Sequence, residues 1–263
     1  MDLLNFFKSR FKKPSKKKQY SWIRDLPDHR DYQYVPNAVK LPSSVDLRPI
    51  CPPVLDQSSL GSCTSNAISN AYYFDELKQK EVSAFLPSRL FIYYNERVLE
   101  GTVNSDSGAM IRDGFKTIAN QGVVSEKSWP YIISKFKTKP SKKLYTEALK
   151  NKAITYQSLS QDLTTLKSCL NDGYPFVFGI SVYSSFESDT VASTGIVPMP
   201  GKNESLLGGH AILCVGFDDT KKVFIVQNSW GTDWGMKGFF TIPYAYLTNP
   251  KLASDFWTVK KVS

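Results

Sequence analysis

The sequence predicts an α+β protein with a mainly helical first half and a mainly β-stranded second half. Three segments early in the chain have apolar residues at helical spacing: 62–79, 87–100 and 109–120. After Pro175 the pattern changes to short β-rich runs separated by turn residues: 176–183, 210–217, 223–228 and 238–242. Helices followed by strands favour two lobes, and a binding cleft is expected where the lobes meet.

The composition is that of a globular protein with a sizeable core. The 263 residues are 41% hydrophobic and include 14 Tyr, 16 Phe and 5 Trp. No apolar run approaches the roughly 20 residues that cross a bilayer, so we expect no transmembrane segment. The formal net charge is +9, but residues 1–40 carry +6 of it and the rest of the chain only +3. The charge of the body therefore does not indicate a nucleic-acid-binding domain.

Residues 1–42 form a basic amino-terminal extension ahead of a body at 43–263. Its prolines prevent a long helix, and its lysine-rich start is able to contact an anionic surface, although such runs are more often simply solvated. The extension has more aromatic residues than a linker needs, so we expect part of it to pack on the body. These residues are Tyr20, Trp22, Tyr32 and Tyr34.

Neither a secretory signal nor a metal site is expected. An acidic residue and a short apolar stretch precede the first positive charges, which is the wrong order for a signal peptide. We expect a protein that stays in the cytoplasm or is exported by another route. The cysteines are scattered and only two histidines are present, which indicates no disulfide framework, no zinc site and no cofactor. The four cysteines are Cys51, Cys63, Cys169 and Cys214.

Cys63 is the candidate nucleophile. It lies in the first turn of the first predicted helix, where unpaired backbone N–H groups and the helix dipole stabilise a thiolate. Gly61 and Ser62 are small, so a substrate backbone can approach the sulfur. Taken alone, a cysteine at such a place is more often a small buried residue, and the assignment depends on finding a base.

His210 is the candidate base, because His29 lies in the charged extension. His210 begins a predicted strand that continues into the next one as a hairpin centred near residue 220. This centre places residue 210 opposite residue 230 and so brings Asn228 and Trp230 close to His210. If the amide oxygen of Asn228 accepts the imidazole N–H, the other ring nitrogen faces the thiol. Residues 228–231 are equally compatible with a simple turn that closes a hairpin.

Three segments in the expected order resemble papain and the cathepsins: residues 57–63 (QSSLGSC), 209–211 (GHA) and 228–235 (NSWGTDWG). The histidine and the asparagine follow the cysteine by 147 and 165 residues, which is similar to the spacing in this family. The resemblance covers about residues 43–263. It implies a papain-like two-lobed fold, with a helical left lobe at about 43–155, an antiparallel β-barrel-like right lobe at about 156–263 and the active-site cleft between them.

The resemblance also implies roles for residues around the nucleophile. Gln57 corresponds to the family's oxyanion-hole glutamine, which acts together with the backbone N–H of Cys63. Gly108 corresponds to the glycine-bearing loop that pairs with the substrate backbone. The side chain two residues before the cut would enter an apolar pocket, and Trp230 would cover the bond between the histidine and the asparagine. The pocket residues are Met110, Gly179 and Ala211.

The sequence departs from the family at two positions near the nucleophile. Leu60 stands where papain-like enzymes usually have a disulfide cysteine, and Thr64 replaces the usual tryptophan. The missing disulfide suggests an enzyme suited to reducing conditions, similar to bacterial or viral relatives more than to lysosomal ones. The extension is shorter than the helical propeptides of cathepsins, and we expect part of residues 20–34 to lie over the cleft, as in a zymogen.

The expected activity is that of a monomeric thiol protease that hydrolyses peptides or proteins. Cys63 would form an acyl-enzyme, with His210 as general base and then acid, Asn228 orienting the histidine and Gln57 in the oxyanion hole. Two alternatives stay open. In the first, the scaffold binds peptides with little or no catalysis. In the second, the enzyme transfers the acyl group or removes a small protein modifier, since thiol acyl-enzymes accept amines as well as water.

Overall fold

A computed structural model describes residues 19–37 and 40–263 of the chain. The lysine-rich start of the extension lies outside these residues, so its predicted contact with anionic surfaces stays a prediction. Among the described residues, no helix combines the length and the apolar character that a membrane span requires.

The three predicted helices are present in the first half of the body. They are α1 Cys63–Lys78, α2 Arg89–Glu100 and α3 Ile111–Asn120. Helix α1 is buried on nearly all sides because it lies between the other two helices and the sheet. Four shorter helices follow: α4 Lys142–Ala148, α5 Leu163–Asn171, α6 Asp189–Thr194 and α7 Tyr244–Leu247.

The β-rich part is one antiparallel sheet of seven strands. Along the sheet the strands follow the order β4-β9-β5-β6-β7-β8, and β2 also pairs with β6. Within the described residues this path is open at β4 and β8, so the right lobe is an antiparallel sheet and not a closed barrel. The strands are β2 Ser44–Asp46, β4 Ala153–Ser158, β5 Phe176–Tyr183, β6 Leu206–Asp218, β7 Val223–Gln227, β8 Phe239–Pro243 and β9 Ala253–Val262. Two short strands, β1 Trp22–Ile23 and β3 Ala109–Met110, pair separately.

The sheet is buried on both faces, which is why its strands read as nearly continuous apolar runs. In β5, Phe176 and Phe178 face an aromatic core on the outer side of the sheet. Val177 faces a second core that contains Ile68 of α1 and Phe115 of α3. Because successive side chains of a strand point to opposite faces, one strand contributes to both cores.

The hairpin of β6 and β7 has the predicted pairing. Phe217 pairs with Phe224 and Leu213 with Gln227, and one register shift separates these pairs. Continued by three residues along each chain, this register places His210 opposite Trp230. The two rings are stacked with their centroids 5.0 Å apart, which confirms the position expected for the histidine.

The loop that follows α2 is fixed by a buried arginine. Arg97 has no exposed surface. Its guanidinium donates hydrogen bonds to the carbonyl oxygens of Val103, Ser105 and Phe136. This loop leads directly to Gly108, so the arginine positions one wall of the cleft.

Replacing Arg97 with Met should lower the free energy of unfolding by about 3 kcal/mol, because three carbonyl oxygens lose their donor. Urea unfolding followed by tryptophan fluorescence measures the change. Arg30→Met is the matched control, since Arg30 is solvent-exposed and, within residues 19–37 and 40–263, forms a salt bridge only with Asp28. Equal urea midpoints for the two variants would contradict a structural role of Arg97.

Candidate active site

Cys63 is the first residue of α1, at the predicted place, and its side chain is completely buried. The thiol lies against the backbone of Ala211, the residue next to His210, and its Sγ is 3.8 Å from the hydroxyl oxygen of Ser21. Burial raises the pKa of the Cys63 thiol in this arrangement. The closed cleft therefore favours the uncharged thiol over the thiolate that the helix entrance would otherwise stabilise.

The imidazole of His210 is held by Asn228. Its Nε2 lies 2.8 Å from the side-chain oxygen of Asn228, which also accepts a hydrogen bond from the backbone N–H of Ser229. This second contact fixes the orientation of the amide, so that Nε2 carries the proton. Trp230 stacks on the imidazole and keeps the bond away from water. Proton exchange with a thiol or a substrate then falls to Nδ1.

Gln57 is buried beside this group, and a neighbouring serine orients it. The Gln57 side-chain oxygen accepts a hydrogen bond of 2.6 Å from the hydroxyl of Ser229, and its Nε2 donates to the carbonyl of Leu60 at 3.1 Å. An amide nitrogen has two N–H groups, so Gln57 retains one more donor for an oxyanion. The sequence did not single out Ser229; its position directly after Asn228 was the only signal.

We call residues 19–37 the arm. The start of the arm passes through the cleft. Strand β1 pairs in parallel with β3, and the backbone N–H of Ala109 donates to the carbonyl oxygen of Ser21 at 3.2 Å. Gly108 has a φ of +79°, and a Cβ added there would lie 1.6 Å from that same oxygen. Only glycine permits so close an approach of the arm backbone.

The arm side chains fill the sites predicted for substrate. The indole of Trp22 packs on Gly179, where a Cβ would meet its ring at 1.9 Å, and lies in one apolar cluster with Ala211. The Tyr20 ring meets the rings of His210 and Trp230 edge-on, with centroid distances of 6.3 and 6.1 Å. Thus the arm contacts the predicted pocket residues. These contacted residues are Gly108, Met110, Gly179, Ala211 and Trp230.

Only part of the predicted segment covers the cleft. Tyr20 and Trp22 lie in it, whereas Tyr32 is 78% exposed. Tyr34 is buried away from the cleft, where its backbone N–H donates to Ser158 of β4 and its hydroxyl to Asp172. The expectation that residues 20–34 cover the cleft therefore holds for the start of this segment and is wrong for its end.

Two partly buried carboxyl groups attach the arm to β9. Asp255 accepts hydrogen bonds from Trp22 Nε1 at 3.1 Å and from the backbone N–H of Asp25 at 2.8 Å. Asp25 in turn accepts from the indole of Trp257 at 2.8 Å and from the backbone N–H of Arg112 at 3.1 Å. Burial, and secondly the charge of Asp255, raise the pKa of Asp25 to about 7. Burial also raises the pKa of Asp255.

Thr64, which stands in place of the family's tryptophan, contacts a buried acid. Its hydroxyl donates to Glu96 of α2 at 2.9 Å. Glu96 is completely buried, and desolvation raises its pKa well above the usual range. Burial therefore disfavours a negative charge on Glu96 behind the nucleophile, and such a charge would raise the pKa of the Cys63 thiol. Glu96 could not be recognised beforehand, because a glutamate in an amphipathic helix is expected to face solvent.

The match to known proteins agrees with this geometry. Residues 41–256 match the family described as Papain family cysteine protease.

The chain belongs to the papain family of cysteine proteases.

Papain-family relatives of viral and bacterial origin are similar to this chain over most of its length. An uncharacterized peptidase C1-like protein of Acanthamoeba polyphaga mimivirus is 48% identical over 217 residues, which cover 80% of this chain and 70% of the relative. The crystal structure of xylellain, a cysteine protease from Xylella fastidiosa, is 45% identical with a TM-score of 0.89, covering 94% of this chain and 98% of that one. The expected likeness to bacterial and viral enzymes is confirmed.

Cathepsins are more distant. Cathepsin K of Gallus gallus is 28% identical over 226 residues; the match covers 82% of this chain but only 63% of the cathepsin. A procathepsin L 3 from Tenebrio molitor has a TM-score of 0.69 at 20% identity, which supports the fold alone. All four cysteines of this chain are free.

Attachment of the arm should weaken as the pH rises. The carboxyl of Asp25 has a pKa of about 7 when docked, above the value of about 4 of a free aspartate, so the docked state binds the proton more tightly. Docking is then strongest below about pH 4, weakens up to about pH 7 and changes little above that. Arg24 and Arg112 lower the two pKa values only in part.

The measurement is the rate at which dipyridyl disulfide labels Cys63 in the full chain and in Asp25→Asn, which cannot ionise at this position. The rate for the full chain is divided by the rate for Asp25→Asn. This ratio cancels the titration of the Cys63 thiol itself, which is common to both proteins. We expect the ratio to rise about tenfold from about pH 5.5 to about pH 8. A ratio that does not change with pH would exclude Asp25 as the titrating group.

Proposed function

We propose that this papain-family protease hydrolyses peptide bonds through an acyl-enzyme on Cys63. The observation that carries the proposal is the Nε2–Oδ1 distance of 2.8 Å between His210 and Asn228, with His210 next to the residue of β6 that the Cys63 thiol touches. Held in this way, the imidazole can accept a proton from the thiol through Nδ1. The resulting thiolate lies at the entrance of α1, where the helix dipole favours an anion.

The first half of the reaction forms the acyl-enzyme. The thiolate attacks the peptide carbonyl carbon, and the carbonyl oxygen takes the negative charge. The second N–H of the Gln57 amide and the backbone N–H of Cys63 would donate to this oxyanion. His210 then gives its proton to the leaving amine as the carbon–nitrogen bond breaks.

The second half releases the product. His210 removes a proton from a water molecule that attacks the thioester carbonyl, the carbon–sulfur bond breaks, and a carboxylic acid leaves. An amine in place of water would give a new amide, and this is the transferase alternative. The pairing of His210 with Asn228 is compatible with both hydrolysis and acyl transfer, so analysis of the products must distinguish the two reactions.

We further propose that the arm inhibits the cleft without being cut. A substrate must place its leaving amine, and so its carboxyl-terminal part, beside His210. The arm runs in the opposite direction: Tyr20 lies beside His210, and the later residue Trp22 lies at Gly179. The Ser21 carbonyl is directed to the backbone N–H of Ala109 and not to an oxyanion hole. A reversed peptide therefore occupies the site in an unreactive orientation.

Loosening the arm should activate the enzyme. We expect full-length Trp22→Ala to raise kcat/KM on peptide substrates by about tenfold or more, because the indole no longer competes for the pocket at Gly179. The control is Tyr32→Ala, an arm residue that is 78% exposed. Equal activity of the parent chain and Trp22→Ala, together with no gain on truncation near residue 40, would contradict inhibition by the arm.

The mechanism is tested in the Trp22→Ala background with a fluorogenic peptide amide. Cys63→Ala should abolish turnover, and Gln57→Ala should lower kcat by about 10²- to 10³-fold, as expected when one oxyanion donor is removed. Mass analysis with and without an added amine separates hydrolysis from acyl transfer. Turnover that survives in Cys63→Ala would contradict the acyl-enzyme, and the absence of turnover with intact Cys63 would favour a peptide-binding role.

A further inference from the structure

A buried carboxylate lies at the far end of the pocket that Trp22 fills. The walls of this pocket are apolar or lack a side chain: Gly179 lies under the indole, and Ala211 belongs to the same cluster. The indole N–H, however, points at a charged group, because Trp22 Nε1 donates to Asp255 Oδ2 at 3.1 Å. The pocket is therefore apolar along its length and acidic at its end.

The backbone of β9 is bent at Asp255. In the pairing of β5 with β9, Val177 lies opposite Trp257 but Gly179 lies opposite Ser254, so one extra residue is accommodated on β9. Asp255 has a φ of +60°, a conformation that costs a non-glycine residue about 1 kcal/mol. A bulge of this kind re-aims a side chain relative to the regular strand. At this bulge the carboxylate of Asp255 is directed to the pocket that Trp22 fills and not to one of the hydrophobic cores.

The hydrogen bonds of this carboxylate depend on the arm. Two of its donors, Trp22 Nε1 and the backbone N–H of Asp25, are arm groups, and the neighbouring hydroxyl of Ser254 in β9 is a donor that belongs to the body. Arg24, whose guanidinium lies 5.8 Å from the centre of the Trp22 ring and lowers the pKa of Asp255, is an arm residue as well. A substrate that displaces the arm removes all three arm groups and leaves the partly buried anion with fewer donors, of which Ser254 remains. Such a carboxylate costs free energy until new donors reach it.

Displacement also changes the charge of the group. The carboxyl of Asp25 belongs to the arm and leaves with it, so the nearby negative charge disappears and water gains access. Both changes favour the ionised form of Asp255 and oppose the effect of losing the arm donors, which lower its pKa in the closed state. Arg112 of α3, the body's cation on this side, donates to arm residues Leu26 and Asp31 in the closed state.

We propose that Asp255 is a specificity-determining residue that selects a basic side chain, arginine above all, two residues before the scissile bond. This inference rests on the proposed peptidase function and on the pocket already assigned to that substrate residue. A guanidinium supplies two N–H donors in a fixed fork and so replaces both donors that Asp255 loses, with the added strength of a charge-assisted pair. Its aliphatic stem fits the apolar walls. The purely apolar preference expected from those walls is thereby replaced.

The test compares two fluorogenic peptide amides in the full-length Trp22→Ala background. They differ only in carrying arginine or citrulline, its neutral isostere, two residues before the cut. We expect arginine to be preferred by about tenfold or more in kcat/KM, mainly through KM, and Asp255→Asn to bring the ratio close to one. Asparagine tolerates a positive φ, so the backbone of the bulge is preserved. Glu81→Gln, an exposed site near the far end of α1, is the control for loss of one negative charge.

The outcomes separate this inference from the proposed function. If neither peptide is cut while Cys63 is intact, the peptidase mechanism fails. If both peptides are cut but arginine is not preferred, the specificity role is overturned; this would occur if Arg112 neutralised Asp255. The role is also overturned if the preference for arginine survives in Asp255→Asn. Should Asp255→Asn fail to fold, the Trp22→Ala enzyme gives the answer alone: the arginine preference must decline as the pH falls through the pKa of the carboxylate, and a constant preference would overturn the inference.

Discussion

The register between β6 and its neighbours is the constraint on which the site depends. Pairing with β7 brings His210 to Trp230 and lets Asn228 hold the imidazole. Packing of α1 on β6 brings the Cys63 thiol against Ala211. A slip of one residue in this strand would exchange its two faces and separate the imidazole from its amide partner. Both cores of the protein hold this register, because β6 contributes alternate residues to each.

The arrangement of Cys63, His210 and Asn228 could be predicted because its signals are local. A small-residue entrance to a periodic helix identified Cys63, and a single hairpin centre located His210, Asn228 and Trp230 relative to one another. The register shift next to Gly216 did not disturb this, because it moved the hairpin centre by only half a residue. The helices α1 to α3 and strand β5 were also found, since their apolar patterns are long and regular.

The remaining features depend on contacts between distant segments. Strand β9 was missed because Lys260 and Lys261 break its apolar pattern, and β1 and β3 are too short to have a pattern. The aromatic content of the extension indicated a covering role, but not which aromatics reach the cleft. Asp255 could not be recognised from its neighbours, because its position depends on a bulge and its partners lie more than 200 residues away in the chain.

The same arm groups that fill the cleft are the ones that we propose keep its chemistry inactive. The arm covers Cys63 so completely that burial raises the pKa of the thiol, and Tyr20 covers the stacked pair of His210 and Trp230. Gly108 and Gly179 admit the arm only because they lack a Cβ. The space at Gly108 accommodates a peptide backbone, and the space at Gly179 accommodates a large side chain. The arm occupies both, with the Ser21 carbonyl and the Trp22 indole.

The proposed pairing of the Cys63 thiol with the His210 imidazole is tested most directly by the ultraviolet absorbance of the Cys63 thiolate during a pH titration of full-length Trp22→Ala. With His210 present, we expect thiolate absorbance already at about pH 6, because the imidazolium stabilises the anion. In Trp22→Ala with His210→Ala, the same absorbance should emerge only near the ordinary thiol pKa of about 8.5. Identical titration curves for the two proteins would show that the two side chains do not form a pair.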